Sequence, residues 1–331
     1  MELAAIVILN YNGRKMLEKF LPSLLLYSEF PVYVADNKST DDSLDFLADH
    51  YPQIKVILLE ENFGFAMGYN KALEKIKRQF SYYFLLNSDV EVSPKWDRKL
   101  MDWMLAHPEA VAVQPKILSF QNRRYFDHAG AGGGFLDALG FPYCRGRLLE
   151  VIEEDFGQYD DTVPVDWASG ACMLVRADRF HDFHGFDDRF FAHMEEIDLC
   201  WRWRIAGHTP YYHGGVKVYH VGGATLSRSN PKKTYLNFRN SLLMLHKNLS
   251  GSRMWWVYSL RLLLDAGAFA LFFFQGKRED ARAVIKAHRD YQRMKRQDIP
   301  QKYPEKCRSY SRIFSVVWAY YGKGKRYYSK L

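Results

Sequence analysis

Short apolar, β-branched runs alternate with polar turns and helically spaced segments through the first 115 residues. Ala4 to Leu9, Val32 to Asp36, Lys55 to Leu59, Tyr82 to Asn87 and Ala110 to Gln114 read as strands. Between them Met16, Phe20, Leu21 and Leu24, then Leu44, Leu47 and Ala48, then Ala72, Leu73 and Ile76 recur at the three-and-four spacing of helices packed on one face. Thr40-Asp41-Asp42 and Ser93-Pro94 supply helix starts, the second with proline in the first turn. This alternation predicts an α/β fold, a mostly parallel sheet flanked by helices.

The rhythm breaks over residues 116 to 165, where the run Ala129 to Gly134 is rich in glycine and Glu150 to Asp161 is acidic. This stretch reads as a long, irregular and partly mobile excursion over the site. Order resumes at Val165, with strands predicted over Ala171 to Val175 and Val216 to His220 and a helix over Met194 to Ala206. Beyond Thr234 the chain becomes helical and rich in Arg, Lys and aromatic residues. The division expected is therefore 1–233, with halves 1–115 and 116–233, followed by a helical basic extension over 234–331. Met254 to Phe274 is the most apolar window, but Arg261 and Asp265 interrupt it and its length is marginal for a membrane span. Two readings stay open there: a helix lying in a membrane interface, and a helix packed on the core.

Composition narrows the class. A chain of 331 residues with 48% hydrophobic and 25% charged residues can bury a sizeable core and is neither disordered nor a multi-span membrane protein. Cys144, Cys172, Cys200 and Cys307 stand far apart, without a CxxC pair or an apolar leader, which implies a reducing cytosol and neither disulfides nor zinc. The net charge of +8 is uneven. From Lys277 onward sixteen Lys and Arg face five Asp and Glu, so the preceding residues are slightly acidic and the tail points to an anionic surface.

Sheets of this kind bind ligands at the carboxyl ends of their strands, and the informative residues fall there. Tyr11, in Asn10-Tyr11-Asn12-Gly13, can lay its ring over a nucleobase, and glycine permits the turn that follows. Asp36 can accept a hydrogen bond from a base or a ribose, or simply cap the turn ahead of Ser39. Between Asn62 and Asn70, Gly64 and Gly68 open a helix where backbone can approach a nucleotide. Asn87-Ser88-Asp89 ends an apolar strand, and a carboxylate in that position suits Mg²⁺ or Mn²⁺ with a diphosphate completing the shell. His220, at another strand end, is a candidate nitrogen ligand to the same ion or else a structural histidine. Glu195, Glu196 and Asp198 crowd three carboxylates into one helical turn, which raises the proton affinity of at least one and makes it a usable base. Asp198 and Arg202 are spaced to pair along the helix.

Taken in order, NYNG at 10–13, VADNKSTDDS at 34–43, ENFGFAMGYN at 61–70, NSDVEV at 87–92, WASGACMLVR at 167–176, GFDDRFFAHMEEIDLCWRWRIAGH at 185–208 and HVGG at 220–223 resemble the family 2 glycosyltransferases of GT-A fold. The closest likeness is to the bacterial rhamnosyltransferase-like branch, over roughly residues 3 to 245. The resemblance implies inverting transfer from a nucleoside-diphosphate sugar. It places Tyr11 and Asp36 on the base, Asp89 on the metal as the last residue of a degenerate DXD motif, and His220 as a second ligand. It makes Glu196 the catalytic base and sets Trp167 and Gly170 beside the acceptor. Two departures stand out: Asn87 replaces the first carboxylate of the DXD motif, and the usual Glu-Asp pair is Glu195-Glu196.

The reading is a cytoplasmic, divalent-cation-dependent enzyme using a UDP- or dTDP-sugar and a glycan or lipid-linked acceptor, with no nucleic-acid partner. Its basic, aromatic residues 254–331 would hold it to the anionic inner face of the membrane. A sugar nucleotidyltransferase, betrayed by pyrophosphate release, and a non-catalytic membrane scaffold are the rivals.

Overall fold

The computed structural model describes residues 2–222, 230–249, 251–295 and 313–331; Gly223 and Cys307 lie outside the described residues. The chain runs β1 (Glu2–Asn10), α1 (Arg14–Tyr27), β2 (Val32–Asp36), α2 (Ser43–His50), β3 (Lys55–Leu58), α3 (Gly64–Lys75), β4 (Phe80–Asn87), β5 (Val90–Val92), α4 (Trp96–Ala106) and β6 (Ala110–Ser119). It continues through β7 (Gly134–Leu136), β8 (Pro142–Cys144), β9 (Arg147–Leu148), β10 (Val151–Ile152), β11 (Thr162–Pro164), β12 (Cys172–Arg176), α5 (Ala177–Asp182), α6 (Glu195–Ile205) and β13 (Thr209–His220). Helices α7 (Pro231–Asn248), α8 (Gly251–Phe274) and α9 (Arg278–Met294) follow.

The main sheet has the order β11-β13-β6-β12-β4-β1-β2-β3, with β5 on β13. Strands β3, β2, β1 and β4 are parallel, and their order reverses between β1 and β4, which opens a crevice at their carboxyl ends. Ala5, Ile6 and Val7 of β1 are wholly buried, because helices cover both faces, and such a strand is apolar without alternation. Leu17, Phe20, Leu21 and Leu24 form the buried stripe of α1. Two predicted boundaries shift: α2 begins only at Ser43, and Pro94 precedes α4, which starts after Lys95 in a left-handed conformation.

The excursion is more ordered than its composition suggests. Strand β6 continues to Ser119, and β7 to β10 form a second, antiparallel sheet. The glycines here make room for neighbours. A Cβ on Gly134 would lie 2.2 Å from the Trp167 ring, and one on Gly130 would lie 2.5 Å from Ser169 Cβ. The acidic stretch is neutralised within the fold: buried Lys116 pairs with Asp155 at 2.6 Å and also with Asp160, and Arg145 pairs with Asp161 at 2.9 Å. An irregular, mobile cover is thus replaced by a packed subsheet.

Helix α7 is joined to α6 through buried charge. Lys247 Nζ lies 2.9 Å from both Asp187 and Asp198, Arg202 Nε donates to Asp198 at 2.8 Å, and Asn248 Nδ2 donates to Asp198 at 2.8 Å. The expected division at 233/234 falls inside α7, and the segment bonded to α6 reaches Asn248. Burial would raise the Asp187 carboxyl, but Arg189 and Lys247 outweigh it and hold it well below the usual range. Asp198 is likewise lowered against its burial, by Lys247 and Arg202. Groups depressed in the folded state stabilise it above their unfolded pKa, and that contribution is lost as pH falls through the depressed values.

Lys247→Met, which leaves both carboxylates short of a partner, should cost on the order of 3 kcal/mol in urea unfolding near neutral pH. An unchanged midpoint would show that the network does not hold α7 to α6.

Candidate active site

The floor of the crevice is built at adjoining strand ends. Asn10 pairs in register with Asp36 across β1 and β2, and Leu9 with Asn87 across β1 and β4. Asp36 is buried, accepting from Asn10 Nδ2 at 3.2 Å and from the Ser39 amide at 2.9 Å. Tyr11 is 40% exposed at the mouth, so its ring is free to face a ligand. Gly13 has no room for a side chain: a Cβ would sit 2.2 Å from Asn10 Oδ1 and 3.7 Å from Ser88 Oγ, which brings the first loop against the fourth.

Other predicted nucleotide contacts serve the protein itself. Asn12 Oδ1 accepts from the Thr40 amide at 2.7 Å, tying two loops together. Asn62 Oδ1 accepts from the Gly64 amide at 3.0 Å and from Asn37 Nδ2 at 3.2 Å. Gly64 and Gly68 need correction as points of open backbone approach. A Cβ on Gly64 would fall 2.5 Å from the Phe191 ring, and one on Gly68 would lie 3.0 Å from Leu9. The first glycine admits an aromatic ring and the second lets α3 settle on β1. Trp167 is corrected as well: its indole is 4% exposed, lies on Gly134 and donates to the Phe135 carbonyl at 3.1 Å, so it is core.

Asp89 and His220 meet. Strand β5 returns from Asp89 to pair with β13, setting Val90 opposite His220, and His220 Nε2 comes 3.2 Å from Asp89 Oδ1. His220 Nδ1 lies 2.9 Å from Asp127 Oδ1, and all three side chains are buried. Burial opposes charge on the ring, but Asp127 and Asp89 outweigh it and raise His220 to about 10. Once the ring gives up its Nε2 proton, an oxygen and a nitrogen donor stand side by side, the nitrogen oriented by a further carboxylate, and the pair fits a divalent cation of the Mn²⁺ or Mg²⁺ kind. Among the described residues no group of three or more His, Cys, Asp or Glu side chains is gathered as a metal centre. A diphosphate would therefore have to supply much of the shell. Asp127 escaped the sequence because its link to His220 spans 93 positions and no local motif marks it.

On the other side of the crevice, the Asn87 amide donates to the Ala171 carbonyl at 3.0 Å, and neighbouring Gly170 faces Phe65 and Glu196. A Cβ on Gly170 would lie 3.1 Å from the Phe65 ring and 3.9 Å from Glu196 Cβ. Phe65 thus joins the site, unseen in the sequence because it reads as an ordinary apolar position of α3. Glu195 is buried and Glu196 half-buried, each with one carboxylate oxygen lacking a hydrogen-bond partner among the described residues. Burial raises the proton affinity of both, and at Glu195 the charge of Glu196 adds to it. Asp198, in the same turn, is instead fully paired.

A sheet that is parallel through β3, β2, β1 and β4 and antiparallel where β12 joins β4, with helices on both faces and polar residues gathered at its strand ends, has the layout of the GT-A glycosyltransferases. The pattern of Glycosyl transferase family 2 matches residues 5–173, and the chain belongs to that family. It is similar to an N-acetylglucosaminyl-diphospho-decaprenol L-rhamnosyltransferase of Mycobacterium tuberculosis, 28% identical over 80% of this chain and 90% of that one. It also resembles the rhamnosyltransferase WbbL of Escherichia coli, 24% identical over 73% of this chain and 95% of that one. Among solved structures, GalNAc-T7 with UDP, GalNAc and Mn²⁺ superposes with a TM-score of 0.58 at 12% identity. That match covers 75% of this chain and 48% of GalNAc-T7, about half its length.

In the metal-free protein, NMR titration of His220 should give a pKa well above the ordinary 6.5, and Asp127→Asn should bring it back toward that value. A wild-type ring titrating near 6.5 would contradict the paired arrangement.

Proposed function

We propose that this glycosyltransferase moves a sugar, with inversion, from a UDP- or dTDP-sugar to a hydroxyl of a glycan or lipid-linked glycan in cell-surface polysaccharide synthesis. The observation that carries the proposal is the placement of Asp89 and His220 at one end of the sheet, with Glu196 beside Gly170 on the neighbouring strand connection. The rhamnosyltransferase relatives, one named for a lipid-diphosphate-linked substrate, support rhamnose as the sugar and a lipid-linked acceptor.

Tyr11 stacks on the nucleobase and Asp36 receives its N–H, while the backbone of Asn87 and Ser88 lines the path to the diphosphate. Asp89 and His220 would hold the divalent cation, which when bound neutralises the departing diphosphate. Glu196 takes the acceptor proton as the hydroxyl attacks the anomeric carbon from the face opposite the leaving group. Glu196 is preferred to Glu195 because it is the less buried of the two. The buried Trp167 leaves Gly170 and Phe65 as the acceptor wall.

The same reading places the enzyme on the cytoplasmic face of the membrane. Helix α8 is long and apolar enough to cross a bilayer, yet its pattern is inverted. Arg261 and Asp265 are each 2% exposed, whereas Leu263 is 70% and Phe274 85% exposed. Arg261 stacks 3.8 Å over Phe141, and Asp265 meets His288 of α9 at 3.0 Å. A helix that turns its charges inward and its leucine and phenylalanine outward suits an apolar surrounding, and Lys277 and Arg278 beside it suit anionic headgroups.

A screen of nucleotide sugars for nucleoside-diphosphate release, with Mn²⁺ or Mg²⁺, should find a UDP- or dTDP-sugar donor. Glu196→Gln should then lower turnover about 10²- to 10⁴-fold while donor affinity holds. Activity of the wild type should rise with pH along an acid limb displaced upward from ordinary carboxylates, as the raised Glu196 gives up its proton. Near-normal turnover of Glu196→Gln removes it as the base. Separately, the protein should sediment with anionic phosphatidylglycerol vesicles, and Leu263→Glu with Phe274→Glu should release it without lowering its melting temperature. Equal sedimentation of both proteins would count against α8 as the attachment.

A further inference from the structure

The segment that delivers Glu195 and Glu196 to the crevice is strained. Phe191, His193 and Met194 all have positive φ, at 62°, 70° and 73°, and none is a glycine. A backbone so disfavoured for side-chain-bearing residues persists only where neighbours over-determine it. Here it is gripped from two sides. On one side, the Phe65 and Ala66 amides of α3 donate to the Phe191 carbonyl at 2.6 and 3.1 Å. On the other side stands α7, beyond the predicted limit of the catalytic unit. Asn240 is wholly buried, and its Nδ2 lies 2.9 Å from Phe190 O, 2.9 Å from Ala192 O and 2.7 Å from His193 O. Arg239 Nη2 reaches Arg189 O and Phe190 O, both at 3.0 Å, while its Nε donates to Asn240 Oδ1 at 2.9 Å. The guanidinium thus fixes which way the amide faces, and the amide spends its donors on carbonyls of the strained turn.

We infer that Asn240 is a positioning residue: oriented by Arg239, it holds the 190–194 turn so that Glu196 meets the acceptor, and through Phe191 it couples that turn to helix α3. The inference rests on the reading of Glu196 as base. Loss of the amide lets the turn relax toward ordinary φ values, which rotates the first turn of α6 away from Gly170. The sites of Tyr11, Asp36 and Asp89 are built on β1, β2 and β4 and keep their geometry.

The test compares Asn240→Ala and the gentler Asn240→Ser with Ser241→Ala as the control, since the buried Ser241 hydroxyl has no hydrogen-bond partner among the described residues. Calorimetry with UDP and dTDP in the presence of Mn²⁺ should show nucleotide affinity within about twofold of wild type for all three. In steady-state transfer, kcat should fall roughly 10- to 100-fold for Asn240→Ala, less for Asn240→Ser, and stay unchanged for Ser241→Ala. Adding Asn240→Ala to Glu196→Gln should lower kcat no further, because the first acts only through the second. Effects that multiply in the double variant, or an Asn240→Ser enzyme with wild-type kcat, overturn the inference. A Glu196→Gln enzyme with wild-type turnover is a different outcome: it overturns the base assignment on which the inference stands.

Discussion

Asp198 is completely buried and completely partnered, by Arg202 on its own helix and by Lys247 and Asn248 on α7. A carboxylate removed from water is tolerable only with such company, and supplying it obliges α7 to lie against α6. That constraint fixes the first turn of α6 in place. Glu195 and Glu196, in the same turn of helix, are denied the same neutralisation and keep their protons more tightly. One short acidic cluster is thereby divided into a structural member and a chemical pair. The division is made by partners lying some fifty residues downstream.

Much of the sheet could be read from the chain because its central strands are buried on both faces and therefore appear as unbroken apolar runs. Ile6 to Ile8 and Phe84 to Leu86 have no exposed side to dilute the pattern. The strand ends were legible too, since polar residues that break such runs, like Asn10, Asp36 and Asp89, have few reasons to be there. What escaped depended on partners distant in sequence. The glycine-rich stretch 130–134 looks like part of an irregular excursion until Trp167 is placed on Gly134. The role of Asp127 requires His220, and the openness of Gly64 is cancelled by Phe191. Trp167 itself was misplaced because an aromatic next to a family motif is equally at home in a binding wall and in a core.

The degenerate metal motif has a counterpart in this geometry. With Asn87 in place of the first carboxylate, that loop brings the Asp89 carboxylate to the His220 imidazole. Asp127 adds negative charge on the other nitrogen of the ring, where it orients the histidine. A cation held by Asp89 and His220 would have few protein donors and would leave its remaining positions to phosphate oxygens.

Helix α8 carries a lesson about how deep a surface helix can go. Its Arg261 is stacked on Phe141 and bonded to Leu139 O at 3.4 Å, so the charged side of the helix is moored to the subsheet. Immersing the whole helix in hydrocarbon would strand Arg261 and Asp265 away from these partners at a heavy desolvation cost. On the proposed membrane surface, α8 would therefore be a float and not an anchor, its apolar side sinking only to about the helix axis.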